Sequence, residues 1–148
     1  MTALLLGSPA YSTRQSVALL IGRLALGVVL IAHGWQKFFT FGISGVTASF
    51  EQMGIPAAGA AAVFAASVEL IGGILLILGV LVPAIGLLVA IDMAGALIFV
   101  HASNGVFVDA GGYELVLLIG ALGLVFAGLG AGGYAVDRLL NRRATANA

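Results

Sequence analysis

Cysteine is absent from this 148-residue sequence. Its absence excludes disulfides, thiolate catalysis, cysteine-ligated zinc and cysteine-held iron–sulfur clusters. Charged residues are scarce as well, because they make up only 8% of the chain and their formal net charge is zero. So sparse and balanced a charge gives no electrostatic basis for binding nucleic acid. The phosphate-binding loop and the nucleophile elbow are absent too, and no long soluble domain is available for a flavin or a dinucleotide.

Apolar side chains fill the composition instead. Hydrophobic residues make up 61% of the chain, and the mean hydropathy is +1.19. A soluble domain is nearer half apolar and about a quarter charged, and a chain of this size buries only about 60–70% of its surface. The excess therefore predicts an integral membrane protein in contact with the lipid bilayer.

Four continuous apolar runs are long enough to approach or reach the about 20 residues that span a bilayer. They lie at 16–39, 57–81, 84–101 and 112–134. Barrel strands would alternate between polar and apolar residues, whereas these runs are continuous, so we predict helices. The sequence thus predicts an all-α, polytopic membrane protein with a four-transmembrane-helix bundle at 16–138. An N-terminal arm at 1–15 and a cytoplasmic tail at 139–148 flank it.

The basic residues predict the orientation of this bundle. Four spans place both termini on one side, and that side carries four arginines, Arg14, Arg138, Arg142 and Arg143. The other side carries Lys37 alone. The positive-inside rule then places both termini in the cytoplasm. In the first outer loop, the segment "SGVTASFEQM" could form a short amphipathic helix at the membrane interface.

Three ionisable residues lie within the apolar runs at similar predicted depths: Arg23, Glu69 and Asp92. Such a residue costs about 2.5–3.5 kcal/mol at the centre of a span, so these usually face the bundle interior and pair. We expect a buried polar cluster for proton handling or for binding a small molecule. One arginine and two acids leave an extra negative charge, so one carboxyl should carry or take up a proton. Snorkelling of Arg23 to the cytoplasmic headgroups is the alternative.

A second group of polar residues falls near the predicted outer interface: His33, Lys37, His101 and Glu114. An ordinary interfacial belt could account for Lys37. The histidines and Glu114 could instead contact a ligand headgroup, relay protons or bind a haem, and His33, His101 and Glu114 form a conceivable metal set. On a straight helix, His101 would point about 180° away from Asp92, so one face should not present both unless His101 lies past the regular helix end.

Small residues recur at spacing four and predict where helices approach each other. One face of the second run carries Ala61, Ala65 and Gly73 beside Glu69, and the fourth run contains a GxxxG pair, Gly128 and Gly132. Small residues let helix backbones pack closely in lipid. We therefore expect a compact bundle.

Five segments occur in the order of a known family: "RLALGVVLIAHGWQKF", "FEQMGIP", "VELIGGILLILGV", "IDMAGALIFVH" and "GGYELVLLIGALGLVFAG". From about Val17 to Arg138, the chain resembles the DoxX family of small bacterial membrane proteins. The resemblance implies a four-helix bundle in the bacterial inner (plasma) membrane. It also draws attention to seven residues of this sequence: Arg23, His33, Lys37, Glu69, Asp92, His101 and Glu114.

The family takes its name from a subunit of a thiosulfate:quinone oxidoreductase. The resemblance therefore implies a subunit of a redox, quinone-linked membrane assembly, with a quinone as the candidate ligand. It also implies other membrane or peripheral redox subunits, or further copies of this chain, as partners. In that reading the buried cluster relays protons, and the outer residues contact the quinone headgroup. A small proton-coupled transporter or channel and a scaffold subunit without chemistry of its own are the alternatives.

Overall fold

A computed structural model describes residues 11–138, and within that range the chain is helical and contains no strand. Residues 1–10 of the predicted arm and the predicted tail lie outside the described residues. We label five α-helices: α1 Thr13–Trp35, α2 Gly42–Gln52, α3 Ala58–Leu78, α4 Val82–Ala96 and α5 Glu114–Leu129. Residues 136–138 are helical as well. Two π-helical turns, Gln36–Thr40 and Leu97–His101, extend α1 and α4.

Three helical stretches are long and apolar enough to cross a membrane: Thr13–Thr40, Ala58–Leu78 and Val82–Asn104. The helical prediction and the membrane class are therefore confirmed. The fourth run forms α5, which has 16 residues and is about 24 Å long. It ends before position 134 because Gly130 and Gly132 adopt positive φ angles, a conformation that ends helices. The count of four spanning helices and the side of the termini stay predictions.

Helix α1 begins at Thr13, three residues before its predicted start. The Ser12 hydroxyl accepts a hydrogen bond from the Gln15 backbone N–H, and the Gln15 side chain accepts one from the Ser12 backbone N–H. This capping box satisfies two donors that the first turn would otherwise leave unpaired. Local polar chemistry thus decides where α1 begins.

The bundle consists of two helix pairs, since α1 packs closely on α3 and α4 packs closely on α5. Glycines allow these approaches: a Cβ on Gly34 would lie 2.4 Å from the backbone nitrogen of Leu70, and one on Gly86 would lie 2.5 Å from the carbonyl of Gly123. The predicted role of Gly128 in a GxxxG contact is wrong, because nothing lies within 4 Å of a Cβ built there.

We name the two ends of the bundle by their connections. The terminal end carries the start of α1, the turn at 79–81 and residues 130–138. The loop end carries residues 36–56 and 97–113. Between them lie four almost fully buried apolar side chains, which we call the apolar plug: Leu26, Leu30, Val89 and Phe126. The polar residues therefore fall into two sites separated by a dry layer.

Candidate functional site

Arg23 lies at the terminal end and is fully buried. Its Nη1 donates hydrogen bonds to the carbonyls of Leu76 at 2.8 Å and Ile77 at 3.3 Å, and its Nη2 donates to the carbonyl of Tyr134. The last carbonyls of a helix have no partner within the helix and carry partial negative charge. The carbonyls at the end of α3 therefore offset the positive charge of the Arg23 guanidinium.

The predicted cluster of Arg23, Glu69 and Asp92 is assembled only in part, because Glu69 and Asp92 line one cavity whereas Arg23 lies apart from them. The expected pairing of Arg23 with these carboxyls is wrong. Among residues 11–138, Arg23 makes no ion pair. Glu69 precedes Leu76 by seven residues of α3, about 10 Å along its axis. The snorkelling alternative is wrong as well, because the guanidinium is buried against backbone carbonyls.

Asp137 is a second buried ionisable residue at the terminal end, and the sequence analysis did not identify it. Its Oδ2 accepts a hydrogen bond from the Leu81 backbone N–H at 2.7 Å, and its backbone N–H donates to the Gly79 carbonyl at 3.3 Å. Leu81 precedes α4 with a φ of 50°, so Asp137 supports a strained turn. An acid just after the last apolar run was the available signal. We call Arg23, Gly79, Tyr134 and Asp137 the terminal latch.

Toward the loop end, Lys37 and Glu69 form an ion pair with Nζ 2.5 Å from Oε2, and their side chains are 20% and 7% exposed. The sequence placed these residues in different layers, and that separation is wrong. Lys37 lies in the π turn at the end of α1, and its long stem can reach inward from there. A carboxylate buried at the position of Glu69 needs such a partner.

Asp92 lies in the same region, on α4. It is 9% exposed, and no group among the described residues hydrogen-bonds its Oδ2. Position 92 is ten residues beyond Val82, the first residue of α4, which is about 15 Å along the axis. If α4 begins at the edge of a hydrocarbon core about 30 Å thick, position 92 lies near its middle. A free carboxyl oxygen at this depth is costly and marks a candidate functional site.

Asp92 lines a cavity of about 400 Å³ between α3 and α4, which we call the middle cavity. Lys37, Glu69 and His101 supply its other ionisable groups, and the remaining wall is apolar, with Phe64 and Phe99 among its side chains. Small-molecule sites are mostly apolar pockets with a few convergent polar groups. The middle cavity has this composition.

His101 shares this cavity with Asp92 because it lies past the regular end of α4, which the sequence had left open. The π turn Leu97–His101 lies between them. A π turn pairs residues five apart rather than four, so it advances by a smaller angle per residue than an α-helix and shifts the residues that follow. The Nδ1 of His101 is 2.6 Å from the Gly111 carbonyl. A carbonyl only accepts, so Nδ1 donates this hydrogen bond and Nε2 is left for another partner.

The two remaining candidates, His33 and Glu114, lie apart from Asp92. His33 is exposed and lines a second cavity of about 300 Å³, on the other side of the Lys37–Glu69 pair. Glu114, in the first turn of α5, accepts a hydrogen bond from the Val108 backbone N–H at 2.7 Å and thereby organises the preceding loop. Across positions 11–138, no three His, Asp or Glu side chains are grouped so that they could hold a metal ion. The metal set that the sequence left open is therefore not assembled.

This fold and this site define a class: a helical membrane protein with an apolar cavity that contains a few ionisable side chains. The chain belongs to the DoxX family, whose pattern matches residues 18–102, a range that contains every ionisable residue of the middle cavity.

Curated relatives match most of the chain. An uncharacterised Haemophilus influenzae protein is 36% identical over 118 residues, which cover 78% of this chain and 84% of that protein. An uncharacterised membrane protein of Mycobacterium tuberculosis is 33% identical, over 84% of this chain and 82% of its own. A Bacillus subtilis protein provisionally named an oxidoreductase, CatD, is 30% identical, over 76% and 80%. No solved structure matches.

Proposed function

We propose that the protein is an integral membrane subunit of a quinone-linked redox assembly, and that its middle cavity binds the ring of a quinone. The provisional name of the relative CatD supports redox work. The single observation that carries the proposal is that Asp92, a buried carboxyl whose Oδ2 has no hydrogen-bond partner among the described residues, lines an apolar cavity. A quinone is itself an apolar ring with polar oxygens that moves within the bilayer.

The polar groups of the cavity match the needs of that ring. Reduction of a quinone adds two electrons and two protons, and a redox partner subunit would supply the electrons. Lys37 keeps ammonium hydrogens beyond the one given to Glu69, so it can donate to a quinone oxygen. The carboxyl of Asp92 and the imidazole of His101 both line the cavity and can hold and transfer protons at the ring. The apolar wall can pack against the faces of the ring.

The proposal includes the placement of the chain in the bacterial inner membrane. In this placement α1, α3, α4 and the shorter α5 cross the membrane, with both termini in the cytoplasm as the arginine distribution indicates, and α2 lies at the outer interface. The lipid-facing surfaces leave room for other membrane or peripheral redox subunits, or for a second copy of this chain.

Binding of a short-chain benzoquinone to the protein in lipid nanodiscs tests this proposal. Asp92→Asn should weaken binding about tenfold, a loss of 1.4 kcal/mol, because the ring loses its proton-exchanging partner. Asp109→Asn is the matched control, since Asp109 is exposed and bonds only to the neighbouring Ala110 N–H. No binding by the native chain, or equal binding by Asp92→Asn, would refute the proposal.

A second pair of variants tests the location. Gly95 lines the middle cavity, and a Cβ built there meets nothing within 4 Å. Gly95→Leu should therefore fill the cavity without a clash and abolish quinone binding. Gly128→Leu is the control, because its Cβ also meets nothing and it lies outside the cavity. Equal affinity in both variants would place the quinone elsewhere.

The free carboxyl at mid-depth also favours a second function, proton-coupled transport. Proton flux into proteoliposomes distinguishes the two. Flux without any quinone, lost in both Glu69→Gln and Asp92→Asn, would favour transport. An absence of flux together with quinone binding would favour the redox subunit.

A further inference from the structure

We propose that water and protons reach the middle cavity only from the loop end, past Lys37 and Phe50, and that the terminal end is closed to them. This inference goes beyond quinone binding, because it assigns the side of the membrane with which Glu69 and Asp92 exchange protons. It holds whatever ligand the cavity takes.

A third cavity supplies the route. It has a volume of about 550 Å³ and lies at the loop end between the π turn Gln36–Thr40 and α2. Most of its lining is apolar, but Gln36, Thr40 and Ser49 add polar side chains, and Gln36 and Thr40 are exposed. We call it the loop-end cavity. Its polar side chains can hydrogen-bond water that enters from the exposed side.

Two side chains form the partition between the loop-end cavity and the middle cavity, since Lys37 and Phe50 line both. Lys37 also lines the second cavity, together with Glu69 and His101. A lysine ammonium on a flexible four-carbon stem can change partners. Lys37 is therefore placed to pass a proton between water in the loop-end cavity and the carboxyl of Glu69.

The opposite direction is blocked. The apolar plug lies between Asp92 and Arg23, and each of its side chains is 3% exposed or less. Below the plug, the terminal latch occupies the end of the bundle. A Cβ on Gly79 would lie 2.5 Å from Nη1 of Arg23 and 2.7 Å from the Cβ of Ala135. Packing this close leaves no room for a water chain.

Single cysteines test the route, because the native chain has none. Ala65 lines the middle cavity, whereas its neighbour Ala66 is fully buried and does not. Each would be replaced in turn, in sealed membrane vesicles, and treated with a charged, membrane-impermeant methanethiosulfonate on one side at a time. Ser49→Cys marks the loop end and Thr13→Cys the terminal end. Gly95→Cys repeats the test from α4.

We expect Ala65→Cys and Gly95→Cys to react only from the side on which Ser49→Cys reacts. Ala66→Cys should react about tenfold more slowly or not at all, because only a solvated thiol ionises to the reactive thiolate. In the Ala65→Cys background, Phe50→Ala should raise the rate because it widens the partition. Phe64→Ala is the control, since Phe64 lines the middle cavity but not the loop-end cavity.

Reaction of both cavity positions from the side of Thr13→Cys, from both sides or from neither would overturn the inference. Reaction with a lipid-soluble maleimide alone would show a cavity that opens to lipid and is dry. That result would refute the proton route and leave quinone binding, which is measured separately, intact.

Discussion

Lys37 and Glu69 are 32 positions apart in sequence, and their side chains meet with Nζ 2.5 Å from Oε2. The pair ties the π turn at the end of α1 to the middle of α3. It also stands between the middle cavity and the second cavity, because both residues line both spaces. Lys37 and Glu69 therefore connect two helical segments and also take part in the proposed chemistry of the middle cavity.

Removing one member of this pair should cost stability. Lys37→Met and Glu69→Gln should each lower the free energy of unfolding in detergent by about 1–3 kcal/mol, because each leaves a buried group unpaired. The double variant should lose less than the sum of the two. Denaturant titration measures all three, with exposed Glu51→Gln as the control. Strictly additive losses would show that the two side chains do not interact.

Arg23 should stabilise the terminal end of the bundle and should not contribute directly to ligand binding. Arg23→Gln should lower the unfolding free energy by about 1.5–3 kcal/mol for each lost charged hydrogen bond. Arg23→Lys should recover only part, because an ammonium lacks the planar fork that reaches several carbonyls. Exposed Arg14→Gln should change nothing. A stable Arg23→Gln variant with lost quinone affinity would instead make Arg23 part of the ligand site.

Glycine substitutions should separate packed from unpacked helix faces. Gly34→Ala should destabilise the bundle severely, because the new methyl would lie 2.4 Å from the backbone of α3. Gly128→Ala should stabilise it by about 1 kcal/mol, since alanine is the better helix former and nothing obstructs its methyl. Thermal melting in one detergent compares the two variants. Equal melting temperatures would contradict the close approach of α1 and α3.

Asp137 should hold the turn between α3 and α4. Asp137→Ala removes the acceptor of the Leu81 N–H and should lower the unfolding free energy by about 1 kcal/mol, as the loss of a helix cap does. Asp137→Asn should retain most of that stability, because its side-chain oxygen still accepts. Asp109→Ala serves as the exposed control. A greater loss in Asp109→Ala than in Asp137→Ala would contradict this role.

Much of the fold follows from the sequence because the bilayer imposes a simple rule. Long apolar runs must be helical to satisfy their backbones, so α1, α3 and α4 could be predicted within a few residues. The end of α5 could not, because Gly130 and Gly132 end that helix by their φ angles and not by polarity. The capping pair Ser12 and Gln15 determines the start of α1. Hydropathy does not detect such a pair, because both residues are polar.

The site was harder to predict because depth along one helix does not say which side chains meet. Lys37 and Glu69 were predicted to lie in different layers, and they meet because the long lysine stem reaches inward. His101 and Asp92 share a cavity only because the π turn at Leu97 changes the helical phase, and no periodicity argument contains that turn. Arg23 was expected to bind a carboxylate because that prediction considered only side chains as partners. The backbone carbonyls at the end of α3 are its acceptors instead.

The amino-acid sequence by itself determined that this protein lies in lipid, where its helices form and which few ionisable residues lie within them. Hydropathy and residue type fix these properties, since each depends on short segments. The tertiary structure alone decided the partners: Lys37 with Glu69, Arg23 with backbone carbonyls, and Asp92 with none among the described residues. Partnership depends on helix rotation, side-chain reach and close glycine contacts, which arise only when separate segments pack together.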